Sequence, residues 1–383
     1  MTRIGAHGRE VLLPRGFPAS VGAGYIPYSA WHAVHLVAGT MTGVLSMQGL
    51  LFAVGLGAGA IPLAGALNFV LKDGIGQLGG VLYAAFSSRS FDAQPKYHRY
   101  SSTLLLQLST GLEVLAPLVP ALFLPLASVA NIGKNVAYLA TGASRAQLNR
   151  AFAISENLGD VTGKATSQAI SASLIGTGLG VALSSAIGSD ATWVAFSAFL
   201  PLSALTVYAA ARSSAHAVLT TFDQQRADLA FEPLLVASPA ASPSLAAIAA
   251  PAAVAARESF LSRYRGDTGI DIDPALTHSD WNEIQAQPSS LDVFDAHKYI
   301  VHPRPDGSVA LWFDVDATAP QVLRGYLHAR ALRASATALV ERLRTWSDSE
   351  FTAALAAAGW DVDHQYVSGA EGARLRIDGQ PAS

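Results

Sequence analysis

The chain contains no cysteine, which removes disulfides, thiolate nucleophiles and thiolate-held metals from consideration. It is also poor in charge. Only 14% of its residues are Asp, Glu, Lys or Arg, against about 25% in an average soluble domain. A net charge of -3, with no basic cluster interleaved with aromatics, argues against a nucleic-acid binder. No nucleophile elbow, Walker loop, zincin helix or Rossmann fingerprint occurs, and no nucleophile–base constellation suggests an enzyme.

What fills the chain instead is apolar: 51% of the 383 residues are hydrophobic. The shortage of charge is local to Trp31–Ala211. Within it six segments approach the roughly 20 residues that a bilayer span needs. They are Trp31–Gly55, Ile61–Ala85, Ser102–Leu118, Ala121–Gly142, Ala165–Ile187 and Trp193–Ala211. Pro117, Pro120 and Pro125 crowd the third and fourth, where a broken or re-entrant hairpin is an alternative. The expected architecture is an all-α polytopic membrane domain of about six helices over residues 1–231. An Ala/Pro/Ser-rich linker (232–256) and a small α+β cytoplasmic domain (257–383) follow.

Basic residues alternate between the connections. The N-terminal arm carries Arg3, Arg9 and Arg15, the second connection Arg89, Lys96 and Arg99, and the fourth Arg145 and Arg150; Arg212 follows the last segment. The remaining connections have none. The positive-inside rule then places both termini in the cytoplasm and the protein in a membrane as a multi-pass chain. The arm lacks the apolar core of a cleavable signal peptide, so the spans themselves are expected to direct insertion. Small residues recur four apart at Gly39/Gly43, Gly55/Gly59, Gly76/Gly80 and Gly176/Gly180, a spacing that lets helices approach closely in lipid.

The second segment reads Asn68-Phe69-Val70-Leu71-Lys72-Asp73-Gly74 at its middle. Each such charge costs roughly 2.5–3.5 kcal/mol at the centre of a bilayer, which makes it a candidate functional site. On an ideal helix adjacent residues diverge, so Lys72 and Asp73 are expected to find separate partners on other segments. Further polar residues share helical faces: His32, His35, Thr42 and Ser46; Asn131, Lys134 and Asn135; Asp160, Lys164, Ser167, Gln168 and Ser171. With Glu113 they outline a hydrated cavity in which Lys72, Lys134 and Lys164 attract an anion and Asp73, Glu113 and Asp160 balance them. The alternatives are snorkelling lysines at the interface and ion pairs that merely clamp helices together. His32-x-x-His35 lacks a third ligand and is weak as a metal site. Beyond the linker, Asp267, Asp271 and Asp273 lack calcium-loop spacing and read as surface acids. Strands are expected near His297–Pro303, Ser308–Val315, Asp361–Val367 and Arg374–Ile377, with helices at Pro320–Trp346 and Asp348–Ala358.

The order of several blocks resembles the root UVB-sensitive (RUS) family, whose members carry a vitamin B6 photoprotection and homoeostasis domain. These blocks are Leu13-Pro14-Arg15-Gly16-Phe17-Pro18, Tyr25-Ile26-Pro27-Tyr28, Gly43–Gln48, Leu71-Lys72-Asp73-Gly74-Ile75-Gly76, Lys96 with Arg99, Asn131 with Lys134, Ala143-Ser144-Arg145-Ala146, and Asn157–Lys164 followed by Ser167-Gln168. Val322-Leu323-Arg324, His328 and Ala357-Ala358-Gly359-Trp360 extend the likeness to the C-terminal region. Ala19, His98, Thr103, Ala165 and Ala169 depart from the family pattern, several of them where it has carboxylates. The resemblance implies an integral membrane protein and, as in plants, a link to pyridoxal phosphate vitamers and to members that pair with each other. The expected function is to bind, and to move across the bilayer, a small anionic solute such as a B6 phosphate, at Lys72, Asp73, Asn68, Glu113, Lys134, Asp160, Lys164 and Gln168, in a homodimer. The alternative is a non-transporting scaffold whose C-terminal domain recruits soluble partners.

Overall fold

Ala- and Leu-rich runs, two of them opened by proline (Pro62 and Pro95) at the first helical position where its missing N–H costs nothing, become six long helices. In the computed structural model, backbone is described for residues 11–54, 62–188, 191–236, 243–267, 269–286 and 297–368, and side chains for these apart from 62–69 and 84–89. Helix α1 covers Tyr25–Ala53, α2 Pro62–Ala93, α3 Pro95–Val114, α4 Phe123–Phe152, α5 Leu158–Ile187 and α6 Thr192–Ala215. The proline-crowded junction between α3 and α4 forms two short 3-10 turns, Ala116–Leu118 and Pro120–Leu122. Gly55/Gly59 and Arg3 and Arg9 lie outside the described residues.

These helices are apolar outside and polar inside. Val70, Leu78, Val81, Ile170, Leu174 and Trp193 are exposed, while Lys96, Arg99, Gln107, Glu113 and Asn131 are buried. That ordering suits apolar surroundings, where polar groups must be satisfied internally. Among the described residues, however, three helices rather than about six are long and apolar enough to cross a membrane: α1, α5 and α6. The reason lies in the inner faces. Lys72 and Asp73 interrupt α2, while α3 and α4 carry Lys96, Arg99, Glu113, Asn131, Lys134 and Arg145. Lys96 and Arg99, counted above with a connection, are 1% and 2% exposed within α3.

Glycines set the close approaches. A Cβ at Gly76 or Gly80 of α2 would run into Asn131 or Asn135 of α4, and one at Gly176 or Gly180 of α5 into α1 at Val37 and Val44. The Gly176/Gly180 spacing therefore serves helix packing, as expected. Gly24, at φ 87°, caps α1 against the His216 carbonyl, a conformation and a gap that exclude a side chain.

The chain divides into two units, 1–218 and 219–383. The division precedes the expected boundary at Phe231, because helix α7 (Gln224–Leu235) puts Phe222, Ala227, Phe231 and Leu234 into the core of the second unit. Part of the expected linker joins that core as well: Ile248 and Val254, the latter on α8 (Pro251–Ala255), are buried. Phe222 stacks on Trp360 with ring centroids 4.0 Å apart.

The sheet of the second unit has the order β1-β3-β2. Strands β2 (Tyr299–Pro303) and β3 (Val309–Phe313) form the expected antiparallel hairpin, turning at Gly307 with φ 80°. Strand β1 (Ile270–Ile272), not anticipated, pairs parallel to β3. Helix α9 (His278–Gln285) covers one face through Ile284 and Trp312. The other face carries α10 (Ala319–Arg333), followed by α11 (Thr337–Thr345) and α12 (Asp348–Ala357). The single helix expected over 320–346 breaks at Ser335, which takes φ 53°. Residues 361–367 make one isolated bridge, Phe222 to Gln365, in place of a strand, and 374–377 lie outside the described residues. Asp273 is no surface acid: it is buried and accepts from the Phe313 N–H and the Ser368 hydroxyl. Asp271 pairs with Arg304, and Asp267 with Arg330 and Arg333.

Candidate functional site

The first unit brings its polar residues together in four groups, and the residues expected to share one cavity are divided among them. Asn68 is the exception, since its side chain lies outside the described ones.

Lys72 and Asp73 pair with each other after all, Nζ to Oδ1 at 2.6 Å. Long side chains bend toward one another where backbone geometry alone holds them apart. Asn131 of α4 completes the group, its amide donating to the Lys72 carbonyl at 3.0 Å and to Asp73 Oδ1 at 3.2 Å. Lys72 is 6% exposed, whereas the Asp73 side chain is 55% exposed.

One turn along α4, Lys134 donates to Glu113 of α3, and Ser46 of α1 donates to the same carboxylate oxygen. The carboxylate is wholly buried. Removing one member of such a pair typically costs about 3–5 kcal/mol, because the other charge is stranded. Three helices are thus fastened at one point. Both groups tie a cation–carboxylate pair to a neighbouring helix, as clamps do.

Asp160, Lys164 and Gln168 rise along one face of α5, where the sequence spacing placed them, and meet the N-terminal arm. The Arg15 N–H donates to Asp160 Oδ2 at 2.6 Å, and Gln168 Nε2 donates to the Leu12 carbonyl at 2.6 Å. Asp160 lies in the first turn of α5, where a carboxylate complements the helix dipole. Between arm and helix lies a cleft of about 740 Å³ lined by Leu13, Pro14, Arg15, Gly16, Phe17, Pro18 and Lys164. An adjoining hollow of about 360 Å³ is lined by Arg15, Ser20, Ser155, Asn157, Asp160 and Lys164. The two share Arg15 and Lys164. Here an open space, two cations and a helix N-terminus coincide, a combination that suits an anion.

In the fourth group, His32 and His35 were expected to line the cavity, but their arginine partners were not. Arg99 of α3 reaches His32 of α1, Nη2 to Nδ1 at 2.9 Å, and both are buried. His35 Nδ1 meets the Thr206 carbonyl of α6 at 3.1 Å. Tyr28 and His32 lie in the electrostatic reach of Arg99 and of Arg145. An aromatic wall adjoins this group on the side of the arm: Phe152 packs 4.7 Å from Tyr28 and 5.6 Å from Tyr25, whose hydroxyl meets Gln168. The clue available in the sequence was His32-x-x-His35 together with Arg99. Arg99 and Arg145 were assigned to connections, which hid it.

The profile of the vitamin B6 photo-protection and homoeostasis domain matches residues 2–238. The chain belongs to the root UVB-sensitive (RUS) family. All four groups of this RUS chain fall inside the matched region. Protein root UVB sensitive 6 of Arabidopsis thaliana is 40% identical over 182 residues, 47% of this chain and 36% of that protein. RUS family member 1 of Dictyostelium discoideum is 31% identical over 229 residues, 58% of this chain and 43% of the relative. Protein root UVB sensitive 3 of Arabidopsis thaliana is 25% identical over 369 residues, 92% of this chain and 82% of the relative. The match thus spans less than half the length of the first two of these relatives. No solved structure matches it.

Proposed function

We propose that this RUS protein is a multi-pass membrane protein, both termini on the cytoplasmic side, that binds a small phosphorylated anion of the vitamin B6 type. The binding place is the cleft between the N-terminal arm and α5. One observation carries the reading: two neighbouring hollows share Arg15 and Lys164 beside the start of a 30-residue helix. The Asp160 carboxylate is occupied there by the Arg15 N–H, which lessens its repulsion of an incoming phosphate. The name of the family's domain supplies the class of solute. Movement of that solute across the bilayer, by a dimer whose halves enclose a path between them, extends the same reading.

The clamps favour a second reading, in which the intramembrane charges only fasten helices and the protein is a scaffold for soluble partners. Thermal shift of the detergent-solubilised chain separates the two. Pyridoxal 5'-phosphate at a hundredfold excess over its dissociation constant is expected to add about 2.7 kcal/mol to native-state stability. Lys164→Ala is expected to abolish that gain with little change in the unliganded melting temperature. Lys72→Ala is expected to lower the melting temperature while leaving the ligand's gain intact. No gain with pyridoxal 5'-phosphate, or a gain indifferent to Lys164→Ala, would leave the scaffold reading standing.

A further inference from the structure

Behind the Tyr25–Tyr28–Phe152 wall, the hydrogen bonds and the charges of the fourth group fail to close. A guanidinium has only donors. The 2.9 Å contact between Arg99 Nη2 and His32 Nδ1 therefore requires Nδ1 to accept, which leaves the ring neutral with its proton on Nε2. That Nε2–H is buried without a protein partner, and His32 is only 4% exposed. Arg145 Nη2, reaching in from α4, is likewise buried without a protein partner. Helices α3 and α4 meet at this level, the Ser102 and Thr141 hydroxyls lying 3.0 Å apart about one turn from Arg99 and from Arg145, and both guanidiniums act on His32. Among the described residues no carboxylate forms an ion pair with either arginine. Asp92 at the end of α2 is taken by the Gln147 amide at 2.6 Å. This is the converse of Glu113, whose charge is met by Lys134.

From Arg99, Arg145 and His32 we infer a second, inner anion site, built for a tetrahedral oxyanion of the phosphate or phosphomonoester class. Its missing member must bring negative charge and accept from both His32 Nε2 and Arg145 Nη2, which the several oxygens of one phosphate can do. Arg99 contributes charge and holds the imidazole in the donating tautomer. A water molecule satisfies the donors but not two guanidinium charges, and a chloride brings one negative charge where a phosphate brings up to two. Elements from three helices, α1, α3 and α4, converge on the site, so occupancy ties them together.

The site is independent of Lys164, which allows it to be tested apart from the outer cleft. Full-length protein, purified in phosphorus-free detergent, is titrated with inorganic phosphate by calorimetry and melting temperature, with potassium chloride at matched ionic strength as control. Wild type is expected to bind phosphate and Lys164→Ala to retain binding at the inner site. Arg145→Gln is expected to weaken that binding about tenfold or more, the loss of one charge-assisted hydrogen bond. Arg145→Lys is expected to recover part of it. Arg145 is half-buried, so its variants are chosen over those of Arg99, whose burial puts folding at risk. Total phosphorus in the purified protein covers prior occupancy. About one phosphorus per chain, absent from Arg145→Gln, supports the site; release into organic solvent marks a lipid headgroup and release into water a free phosphate. Phosphorus-free protein that binds no phosphate, equal stabilisation by chloride, or undiminished binding in Arg145→Gln overturns the inference.

Discussion

At the scale of single residues, Glu113 and Arg99 are opposite electrostatic cases in one helix, the first matched by Lys134 and the second, among the described residues, by no carboxylate. The second unit offers a residue whose charge is governed by burial more simply. Burial, with Arg344, Arg324 and His297 nearby, lowers His328 from 6.5 to about 4, and its Nδ1 lies 3.3 Å from the Tyr299 hydroxyl. A depressed histidine contributes stability that is fully present above the unfolded value. That stability is lost as pH falls toward the folded one, because the unfolded chain takes up the proton first. At about 1.4 kcal/mol per unit, wild type is expected to lose about 3 kcal/mol more than His328→Gln between neutral pH and about pH 4. Urea unfolding of the isolated second unit at the two pH values measures the difference; equal losses would refute it. The chemistry of these residues could be read from their types. Their partners could not, because Lys72 and Asp73 meet by side-chain bending and Arg99 meets His32 across two helices.

At the scale of elements, the helix pair α2–α4 shows how a pattern becomes a contact. Gly76 and Gly79 face Asn131 and Ile132 with no room for a Cβ, and Gly80 lies close against Asn135, so Gly76→Leu is expected to force the helices apart. Overpacking of this kind typically costs about 1–3 kcal/mol, read as a lower melting temperature in detergent with helix content retained. An unchanged melting temperature would mean the two helices do not pack there. The glycine spacing announced close approach, and the six apolar runs announced six helices. Helix ends were less legible: α2 runs on to Ala93 and α3 starts at Pro95, so residues assigned to a polar connection became buried helix. In the second unit the hairpin was legible from alternation and its Pro-Asp-Gly turn. Strand β1 was not, because three residues, Ile270–Ile272, carry too little pattern to register.

At the scale of the molecule, the two units differ in which way their apolar surface points. The first exposes it and the second buries it, around Phe222, Phe231, Leu311, Val322 and Trp360. A fragment beginning at Leu219 is accordingly expected to fold in water. One beginning at Arg257 lacks Phe222, α7 and the segment bearing Ile248 and Val254, and is expected to be unfolded or aggregated; circular dichroism and size-exclusion chromatography of both would decide. A folded Arg257–Ser383 fragment would show that α7 is dispensable to the core. The scarcity of charge, the absence of cysteine, the order of motifs and the helix-forming runs establish a helical RUS chain with an apolar first part, because composition and short-range periodicity act along the chain. Where the arm meets α5 and which histidine Arg99 reaches are set by contacts across about 67 to 156 residues. No local rule ranks such contacts, and the folded packing selects them by the cost of leaving a polar group buried alone.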